Sequence, residues 1–575
     1  MASIVHVTHE AVHRAGGISA VLHGLITAPG YAARIGRTIL LGPLGDPRSP
    51  APLGPDGTVL YDEEQGIRAA AVGPALRQVE QRRGVRLVYG RRPLEGPAGQ
   101  VQTEVLLVDT ARAPRGLNDF KYYLSQHFGL DSRRYESSGE YEQYLRLAEP
   151  GFEGAQALLG EGDYPCFLIA HEFMGMGTAF KSMLSGDRRF ATVFYAHEVA
   201  TARLIVESHP GHDVMFYNAL RAARASGAYL EEVFGPQDGY FKHALVRRAW
   251  HCAGVFAVGD WVLEELRFLG PQFAHRPLDL VYNGVPAVRI SLEEKARARQ
   301  QLQEWARALL GWTPDLVFTH VARLVASKGL WRDLLVLERL DRILALQGRS
   351  GLFVVLASDG GRRDPESIWR MAGEYGWPLV HREGYPDLVR RELDFDLQVR
   401  AFNARARAIR ALFVNQFGWD RASCGPAVPE RMGFADLRLG SDAEFGLSIY
   451  EPFGIAQVEP LSFGAISVVS DVCGCAGFVE RTGIHPSGFI RGEYTRMEAP
   501  VDLWEARGIG AEQRRRAEMR ESQRVAEALG RRLPQTDGQA AELLDQGFRT
   551  ACRMSWEQVV QDYFLPALKR IEPAG

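Results

Sequence analysis

Two glutamates, Glu451 and Glu459, flank a glycine-containing turn in a stretch whose side chains could bind several hydroxyl groups. The apolar run 445–449 before this turn predicts a buried parallel strand, and the run 465–470 after it predicts the next strand. In a strand–turn–helix unit the turn lies at the carboxyl end of the sheet, where open α/β sheets bind their ligands. We therefore expect both carboxylates at a binding edge.

The helix after this turn is predicted to begin near Gly454 and Ile455. The backbone N–H groups of these two residues would face a bound anion with the favourable end of the helix dipole. The turn then offers a carboxylate to a polyol, amides to a phosphate and a second carboxylate to a neighbouring hydroxyl pair. These groups could hold a nucleotide sugar. The alternative is an acidic helix start that binds nothing.

A pair of cations, Arg323 and Lys328, follows the apolar run 316–320 on a loop that we place at the carboxyl end of another strand. Departure of a nucleoside diphosphate builds negative charge on its bridging oxygen and β-phosphate. Two fixed cations close by are the simplest way to stabilise that charge without a metal ion. The alternative is that each cation is a solvated surface residue.

These two motifs resemble those of a known enzyme family. The stretch E-P-F-G-I-A-Q-V-E-P at 451–460 resembles the E-x7-E motif of retaining GT-B glycosyltransferases, most closely the glycogen and starch synthases, and R-x-x-x-x-K-G at 323–329 stands where those enzymes carry the same cations. The resemblance covers roughly 3–285 and 315–480. It implies an α/β protein of two Rossmann-like domains facing across a deep cleft, with a C-terminal helix that packs back on the first domain.

The amino terminus carries a weaker motif. Residues 4–8 predict a first strand, and Gly16-Gly17 then breaks the chain before a helix with a 3.6-residue apolar period. A Gly-Gly loop is often only a structural turn. The synthases open with a strand, a basic residue, one further residue, Gly-Gly and a helix, and here Arg14 takes the basic position where Lys is usual. The resemblance assigns Arg14, Gly16 and Gly17 to the donor.

Two apolar runs in the first half, 166–171 and 191–197, each lead into a His-Glu pair and predict neighbouring strands with polar residues on one sheet edge. The resemblance to the animal and fungal glycogen synthases maps Glu172 to the acceptor side and His197 to the donor sugar. The alternative for His197 is a capping or core histidine. Asn218 falls in the position range of the family's acceptor helices.

Length and composition restrict the remaining possibilities. A chain of 575 residues, with 46% hydrophobic and 24% charged residues, fits two large domains. The formal net charge of −3 argues against nucleic-acid binding and against an anionic membrane surface. Six scattered cysteines form no disulfide framework, and neither a signal peptide nor an apolar stretch of roughly 20 residues is present, so we expect a reduced, cytoplasmic protein.

The expected domains are 1–286 on the acceptor side, 287–555 for the nucleotide sugar, and a helix over 556–575 that returns to the first domain. Residues 45–100, rich in Gly, Pro and Arg, predict loops and short strands. Other predicted elements are strands at 103–108, 352–357 and 410–416 and helices at 119–128, 291–310 and 556–571. Where the family reads the nucleobase this chain has residues 428–433, and Tyr450 is a candidate to stack on the base.

Residues 510–532 carry alternating charges at helical spacing, which is typical of a solvated, salt-bridged helix face. Eukaryotic glycogen synthases have an arginine-rich regulatory helix near this position. By that resemblance, a phosphate effector would bind Arg514, Arg515 and Arg516.

The family chemistry is transfer of glucose from a nucleoside diphosphate to the 4-hydroxyl at the non-reducing end of an α-glucan, with the α configuration retained. UDP-glucose is favoured over ADP-glucose, and no cofactor or metal is expected, since no D-x-D motif is placed to hold a cation. The resemblance gives the following roles: Arg323 and Lys328 stabilise the diphosphate, Glu451 orients the donor sugar, Glu459 accepts from the ribose, Gly17, Gly454 and Ile455 supply amides, and His197 steadies the glucose.

Three alternatives stay open. A transferase of the same fold could use a small acceptor, as sucrose, trehalose-phosphate or mannosyl transferases do, and the donor motifs do not separate these. A glucan phosphorylase shares the fold, but no segment resembles its pyridoxal-phosphate lysine site. An inactive glucan-binding homologue would retain the fold without the chemistry. The sequence leaves oligomeric state open, homo-oligomers included.

Overall fold

The computed structural model describes residues 2–12, 16–97 and 99–571 of the chain. Within them the β-strands are β1 (Ala2–Val7), β2 (Ile35–Pro43), β3 (Thr58–Asp62), β4 (Ile67–Arg68), β5 (Leu87–Gly96), β6 (Gly99–Val108), β7 (Cys166–His171), β8 (Phe190–Ala196), β9 (Gly254–Ala257), β10 (Asp279–Leu280), β11 (Leu316–Arg323), β12 (Gly351–Ser358), β13 (Ile409–Val414), β14 (Ala443–Gly446), β15 (Ile466–Ser470) and β16 (Phe489–Gly492).

The α-helices in the same ranges are α1 (Gly17–Ile26), α2 (Pro29–Arg34), α3 (Gly73–Arg83), α4 (Leu117–Phe128), α5 (Gly139–Leu158), α6 (Glu172–Ser185), α7 (Ala200–Ser208), α8 (His212–Ser226), α9 (Leu230–Phe234), α10 (Phe241–Val246), α11 (Asp260–Phe268), α12 (Pro271–Ala274), α13 (Leu292–Leu310), α14 (Leu330–Gln347), α15 (Pro365–Tyr375), α16 (Arg391–Asn403), α17 (Arg421–Cys424), α18 (Phe434–Leu439), α19 (Ile455–Val458), α20 (Cys475–Arg481), α21 (Leu503–Arg507), α22 (Ala511–Arg532), α23 (Asp537–Arg553), α24 (Trp556–Val559) and α25 (Leu565–Arg570). None of them is both long enough and apolar enough to cross a lipid bilayer.

The chain divides into two compact units. The first consists of Met1–Ala202, Arg224–Gly284 and Trp556–Gly575, and the second of Arg203–Ala223 and Val285–Ser555. A buried ion pair joins the segment Arg203–Ala223 to the rest of the second unit. Arg332 Nη2 lies 2.7 Å from Asp213 Oδ1, and neither side chain is exposed.

The first unit is built on one sheet in the order β10-β9-β8-β7-β1-β2-β6-β5-β3-β4. The strands from β10 to β6 are parallel, and the three strands at the other end are antiparallel. Chain order reverses between β1 and β7, because β2 lies on one side of β1 and β8 lies on the far side of β7. The carboxyl ends of β1 and β7 therefore form the topological switch point of this sheet, where α/β sheets bind ligands.

The C-terminal segment packs within the first unit, as the sequence resemblance implied. A side chain added at Gly24 or Gly284 would meet the Trp556 ring, and the Phe564 ring lies 5.9 Å from that of Tyr31. Near the end of α25, Arg570 Nε donates to Asp279 at 2.9 Å. The last helices are therefore part of the core of the first unit.

The second unit has a fully parallel sheet in the order β13-β12-β11-β14-β15-β16. In terms of position along this half of the chain, the order is third, second, first, fourth, fifth, sixth, which is the order of a Rossmann sheet. The fold prediction of two Rossmann-like α/β domains is confirmed. The switch point of this second sheet lies between β11 and β14.

Both faces of the second sheet are buried, which explains why its strands are continuous apolar runs. On β12, Phe353 and Val355 belong to one core cluster, whereas Leu352 and Val354 belong to another. The first cluster includes residues of α14 and α22, and the second includes Trp305 of α13. This two-sided packing fixes the strand ends that carry the candidate site.

Residues 45–100 are more regular than the sequence predicted. They contain helix α3, the short strands β3 and β4, and the ten-residue strand β5, which forms a long antiparallel ladder with β6. Helix α3 buries only Gly73, Leu76 and Val79, so its apolar period is too weak to stand out among charged residues. The loop prediction for this helix is wrong for that reason.

Candidate functional site

The two predicted cations lie at the switch point of the second sheet. Arg323 is the last residue of β11 and is exposed, and no ion pair joins it to any residue that the structure describes. Lys328 closes a single 3₁₀ turn, Ala326–Lys328, and is followed by Gly329 in the left-handed region with φ of 60°. A crevice at this edge is where a Rossmann sheet binds its ligand.

The loop after β11 is joined to the loop after β14 by backbone contacts. The N–H groups of Ile449 and Tyr450 donate to the Ser327 carbonyl at 2.8 and 3.3 Å. A Cβ atom at Gly329 would stand 2.4 Å from the Leu447 carbonyl oxygen, so glycine is required there. Lys328 is thereby held beside the turn that carries Glu451.

Glu451 is the centre of this turn, and its side chain is 12% exposed. Its Oε2 atom forms an ion pair with Lys328 Nζ, and accepts from Gln457 Nε2 at 2.9 Å and from Ser448 Oγ at 3.3 Å. Three donors on one oxygen fix the carboxylate while its side chain stays in partial contact with solvent. The structure thus brings Lys328 and Glu451, predicted from separate motifs, into direct contact.

The predicted backbone amides, those of Gly454 and Ile455, lie in the same turn. Gly454 has φ of 90° and precedes the short helix α19, which begins at Ile455. The N–H groups of these two residues donate to no acceptor within the described part of the chain. A Cβ atom at Gly454 would lie 2.8 Å from Gln457 Oε1 and 3.0 Å from Glu451 Cγ, so this turn also depends on glycine.

Glu459 lies on the same segment, at the start of a 3₁₀ helix rather than within a continuing α-helix. Arg438 Nη1 donates to Glu459 at 3.2 Å, and Arg438 Nε donates to Glu444 at 2.7 Å. Burial lowers the pKa of Arg438, but the charges of both carboxylates outweigh it and hold that pKa above its usual value. The sequence gives no signal for Arg438, because it comes from a separate helix.

Tyr450, the candidate to stack on a base, is only 3% exposed, so its ring contacts protein rather than solvent.

Asn218 lies in the second unit and donates from Nδ2 to the carbonyl oxygens of Val214 at 2.7 Å and of Thr495 at 2.9 Å. The contact with Thr495 holds helix α8 to the loop after β16.

The three arginines of the predicted effector site lie at the start of α22 and differ in their surroundings. Arg514 Nη1 donates to the Pro210 carbonyl at 2.7 Å, and Arg514 Nε lies 3.6 Å from Glu518. Arg516 pairs with Glu512 one turn earlier, while Arg515 is exposed.

In the first unit, the predicted glycine loop lies at the switch point after β1. Arg14 falls outside the described residues. Glu10, which is buried, accepts the N–H of Ser19 at 2.6 Å and so caps helix α1. A Cβ atom at Gly16 would come within 2.5 Å of Glu10 Oε1, whereas one at Gly17 would meet nothing within 4 Å. A side chain at Gly16 would therefore displace the Glu10 carboxylate, whereas one at Gly17 would enter open space.

Glu172 stands at the end of β7 with a strained backbone, since its φ is 62°. Its Oε1 atom accepts the backbone N–H of His197 and that of Glu198, the latter at 2.6 Å. Burial, followed by the charge of Glu198, raises the pKa of Glu172 well above its usual value. Glu172 thus fixes the loop after β8 that carries His197, and its Oε2 has no partner among the described residues.

His197 is partly exposed at the end of a line of buried histidines that the sequence analysis did not identify. His197 Nε2 lies 2.9 Å from His171 Nδ1, and His171 Nε2 lies 2.8 Å from His6 Nδ1. A polar residue in the middle of the apolar strand I-V-H-V was the available signal for His6.

Comparisons with known proteins bear on the fold. No protein-family model matches the chain, and no curated protein matches its sequence. Among solved structures, the catalytic domain of starch synthase IV from Arabidopsis thaliana bound to ADP and acarbose is similar, with a TM-score of 0.53 and 13% identity over 99% of each chain.

Two further structures are similar at 13% identity. One, described as trehalose-6-phosphate from E. coli bound with UDP-2-fluoro glucose, aligns over 100% of both chains with a TM-score of 0.51. The other is an α,α-trehalose-phosphate synthase (UDP-forming) from Burkholderia vietnamiensis, which aligns over 99% of this chain and 100% of its own with a TM-score of 0.50. This chain therefore has the GT-B fold.

Proposed function

We propose that this protein is a retaining glucosyltransferase that moves glucose from a nucleoside-diphosphate glucose, UDP-glucose in preference to ADP-glucose, to the non-reducing end of an α-1,4-glucan. The observation that carries the proposal is the cluster at the switch point of the second sheet. There Lys328 contacts Glu451, Arg323 ends the adjacent strand, and the N–H groups of Gly454 and Ile455 have no acceptor among the described residues.

In this proposal the cations act on the leaving group. As the bond between glucose C1 and the β-phosphate oxygen breaks, its electron pair goes to that oxygen, and Lys328 and Arg323 stabilise the new charge. The acceptor hydroxyl passes its proton to the departing phosphate oxygen as its own oxygen forms the new bond to C1. Charges that the protein already holds in place, in a site from which water is partly excluded, need little reorganisation during the reaction. Such groups therefore contribute strongly to catalysis.

The remaining residues bind and orient the donor. Glu451 accepts from hydroxyls of the donor glucose, while the amides of Gly454 and Ile455 donate to the diphosphate. Glu459, held by Arg438, accepts from the ribose hydroxyls. In the first unit we assign Gly17 to the diphosphate and His197 to the glucose, as the family resemblance implies.

The acceptor is identified by comparing transfer to several candidate acceptors. UDP-glucose and ADP-glucose are each offered with glycogen, maltooligosaccharides, glucose 6-phosphate or other sugar phosphates, and radiolabelled product is separated by size. We expect label in the glucan chains. Label in a sugar phosphate alone would assign the chain to a small-acceptor reaction, which fits the similarity to the E. coli and Burkholderia vietnamiensis structures.

The stereochemical part of the proposal has its own readout. The configuration of the new glycosidic linkage, identified by NMR from the anomeric proton of the transferred glucose, should be α when the donor is α-linked. A β product would contradict retention, and hydrolysis of the donor without any acceptor product would contradict transfer.

A further inference from the structure

A line of five polar side chains runs through the interior of the first unit and ends at His197. Thr38 Oγ1 lies 3.0 Å from the Tyr31 hydroxyl, which lies 3.1 Å from His6 Nε2. Contacts from His6 Nδ1 to His171 Nε2 at 2.8 Å and from His171 Nδ1 to His197 Nε2 at 2.9 Å continue the line. Both ring nitrogens of the two inner histidines are therefore engaged.

The ring geometry supports true hydrogen bonds between the imidazoles. The ring centres of His6 and His171 are 5.1 Å apart, and those of His171 and His197 are 5.2 Å apart. Such separations are what two rings reach when the N···N contact lies close to the line between their centres. The rings of His171 and His197 are also nearly parallel, with an angle of 16° between their planes.

All three imidazoles are neutral in the folded protein at ordinary pH. Burial, and for His6 also the charge of His197, lowers the pKa of His6 to about 3, and burial lowers that of His197 to about 3. Burial and its two histidine neighbours lower the pKa of His171 well below its usual value. The line passes through the protein interior, since His6 and His171 are fully buried.

A neutral imidazole has one donor nitrogen and one acceptor nitrogen, so the protons on this line are ordered together. If Tyr31 donates to His6, then His6 donates to His171, and His171 donates to His197 Nε2. His197 must then carry its own proton on Nδ1. If the order is reversed, His197 Nε2 is the donor and Nδ1 is left as an acceptor.

The far end of the line favours the first order. A phenol is a stronger acid than a neutral imidazole, and an imidazole nitrogen accepts more strongly than a threonine hydroxyl. Tyr31 therefore donates to His6 rather than to Thr38, and the Thr38 hydroxyl can donate to Tyr31. In the reversed order the neutral imidazole of His6 would donate to the phenol oxygen, and the phenol would donate to the Thr38 hydroxyl, so each of these two contacts would have the weaker acceptor.

We propose that Tyr31, His6 and His171 are positioning residues that fix His197 as the tautomer with its proton on Nδ1. His197 Nδ1 has no hydrogen-bond partner in the described ranges, and His197 is partly exposed. It therefore presents an N–H donor, which selects a ligand oxygen with free lone pairs. The assignment of that oxygen to a hydroxyl of the donor glucose rests on the function proposed above.

The tautomer is measured directly, without any enzymatic reaction. Long-range ¹H–¹⁵N spectra of histidine-labelled protein distinguish protonated from unprotonated ring nitrogens, and the spectrum of His197→Gln identifies the signals of His197. At pH 7.5 we expect a protonated Nδ1 and an unprotonated Nε2 on His197. A protonated Nε2 would overturn the proposal.

Two variants test the direction of the line. Tyr31→Phe keeps the ring beside Phe564 but removes the donor to His6, so the His197 signals should shift toward a mixture of both tautomers. Thr38→Val removes only the group beyond Tyr31, so the His197 signals should stay as in the wild type. The opposite response, with Thr38→Val shifting the signals and Tyr31→Phe leaving them unchanged, would overturn the direction.

Kinetics connect the tautomer to the proposed reaction. Loss of one ordered hydrogen bond corresponds to a roughly 3- to 10-fold effect, so kcat/KM for the sugar donor should fall by that factor in Tyr31→Phe and stay constant in Thr38→Val. If the spectra are as expected but both variants have the same kcat/KM, the tautomer is confirmed, and its role in binding the sugar donor is overturned. A wild-type protein without transfer activity would contradict the proposed function, while the spectra would still decide the tautomer.

Discussion

Lys328 Nζ donates to the carboxylate of Glu451, although the two residues are 123 positions apart and lie on different loops. The contact exists because β11 and β14 are neighbours in the sheet and because the Ser327 carbonyl holds the second loop against the first. The cation thus has an internal anion as its partner. A diphosphate that binds Lys328 must compete with Glu451.

Replacement of Lys328 by alanine tests the leaving-group argument. If Lys328 stabilises the departing diphosphate, kcat should fall by about 10²- to 10³-fold, as for removal of one preorganised electrostatic donor. Stability should change little, because the pair is only partly buried and Glu451 keeps its contacts with Gln457 and Ser448. Steady-state kinetics and a thermal unfolding curve provide the two measurements.

The control is Arg405→Ala, which removes a cation from an exposed ion pair with Glu338 in the same unit. That variant should retain wild-type turnover. Near-wild-type turnover for Lys328→Ala would contradict the leaving-group role.

The buried strands were the part of the fold that the sequence predicted best. The predicted strand 166–171 coincides with β7, and the predicted strand 191–197 differs from β8 by one residue at each end. Parallel strands covered on both faces are continuous apolar runs, so composition alone is enough to locate them.

Helix α5 shows why other elements were not predicted. It contains Pro150, Gly151 and Gly154, which disfavour helices in isolation. A Cβ atom at Gly151 would lie 3.1 Å from the Leu41 side chain, and one at Gly154 would lie 2.9 Å from that of Leu106. The glycines let the helix approach the sheet closely, and this tertiary gain outweighs their poor helix propensity. Such compensation is invisible in the sequence.

The candidate site also contains some residues that the sequence reveals and others that only the fold brings into place. Glu451 and Lys328 belong to local motifs, so their types and spacing are readable along the chain. Arg438, which holds Glu459, and Tyr31, which meets His6, reach their partners only through the fold. No local pattern distinguishes them from other polar residues.

Gly474→Ala should disturb the Glu451 turn through a steric clash. The new Cβ would stand 1.9 Å from the Pro452 carbonyl oxygen, and the Gly474 N–H donates to the Glu451 carbonyl at 3.0 Å. The turn must move, so we expect a clear loss of activity together with a lower unfolding midpoint.

The matched control is Gly373→Ala in helix α15, where an added Cβ would meet nothing within 4 Å. Alanine should stabilise that helix by about 0.5–1 kcal/mol and leave activity unchanged. Equal behaviour of the two alanine variants would show that the Pro452 contact does not hold the turn.

Arg438→Met should be strongly destabilising. It leaves the buried carboxylate of Glu444 without its cation and frees Glu459, and breaking a buried ion pair in this way costs about 3–5 kcal/mol. Burial already raises the pKa of Glu444, so protonation of Glu444 would offset part of the loss. The unfolding midpoint in urea measures the effect.

The double variant Arg438→Met/Glu444→Gln isolates the cause. Removing the unpaired charge should restore part of the lost stability relative to Arg438→Met alone. A double variant that is even less stable would show that packing of the Arg438 side chain, rather than its charge, supports the site.

The stability of the first unit should fall as the pH decreases from about 6.5 toward 4. His6 and His197 have pKa values lowered to about 3 by burial, whereas in the unfolded chain histidine takes up a proton near pH 6.5. The unfolded state therefore binds more protons in this window, and each such histidine lowers the free energy of unfolding by about 1.4 kcal/mol per pH unit as the pH falls.

The change is assigned by comparing variants in urea titrations at pH 7, 6 and 5. His6→Gln should show a shallower loss of stability with decreasing pH than the wild type, while Thr38→Val, which alters no histidine, should follow the wild type. Parallel curves for His6→Gln and the wild type would contradict a neutral buried His6.

Glu451→Gln gives the sharpest test of the contact between Glu451 and Lys328, because binding and turnover should change in opposite directions. The variant keeps the shape of the side chain but removes the anion that competes with a diphosphate for Lys328. Release of this competition, worth about 1 kcal/mol as for an ion pair near the surface, should tighten the Kd of UDP about fivefold. Turnover should fall by at least tenfold, since the amide orients the donor glucose less well than the carboxylate.

Calorimetric titration with UDP and ADP, alongside steady-state rates, measures both effects. Glu338→Gln removes the same charge from an exposed pair elsewhere in the unit and should change neither quantity. If Glu451→Gln instead weakens UDP binding, Glu451 helps to hold the nucleotide and Lys328 is not the cation for which the two anions compete. If binding tightens as turnover falls, Glu451 holds Lys328 in place until the diphosphate takes over the contact with Lys328. The Glu451 carboxylate is then free to accept hydrogen bonds from the sugar.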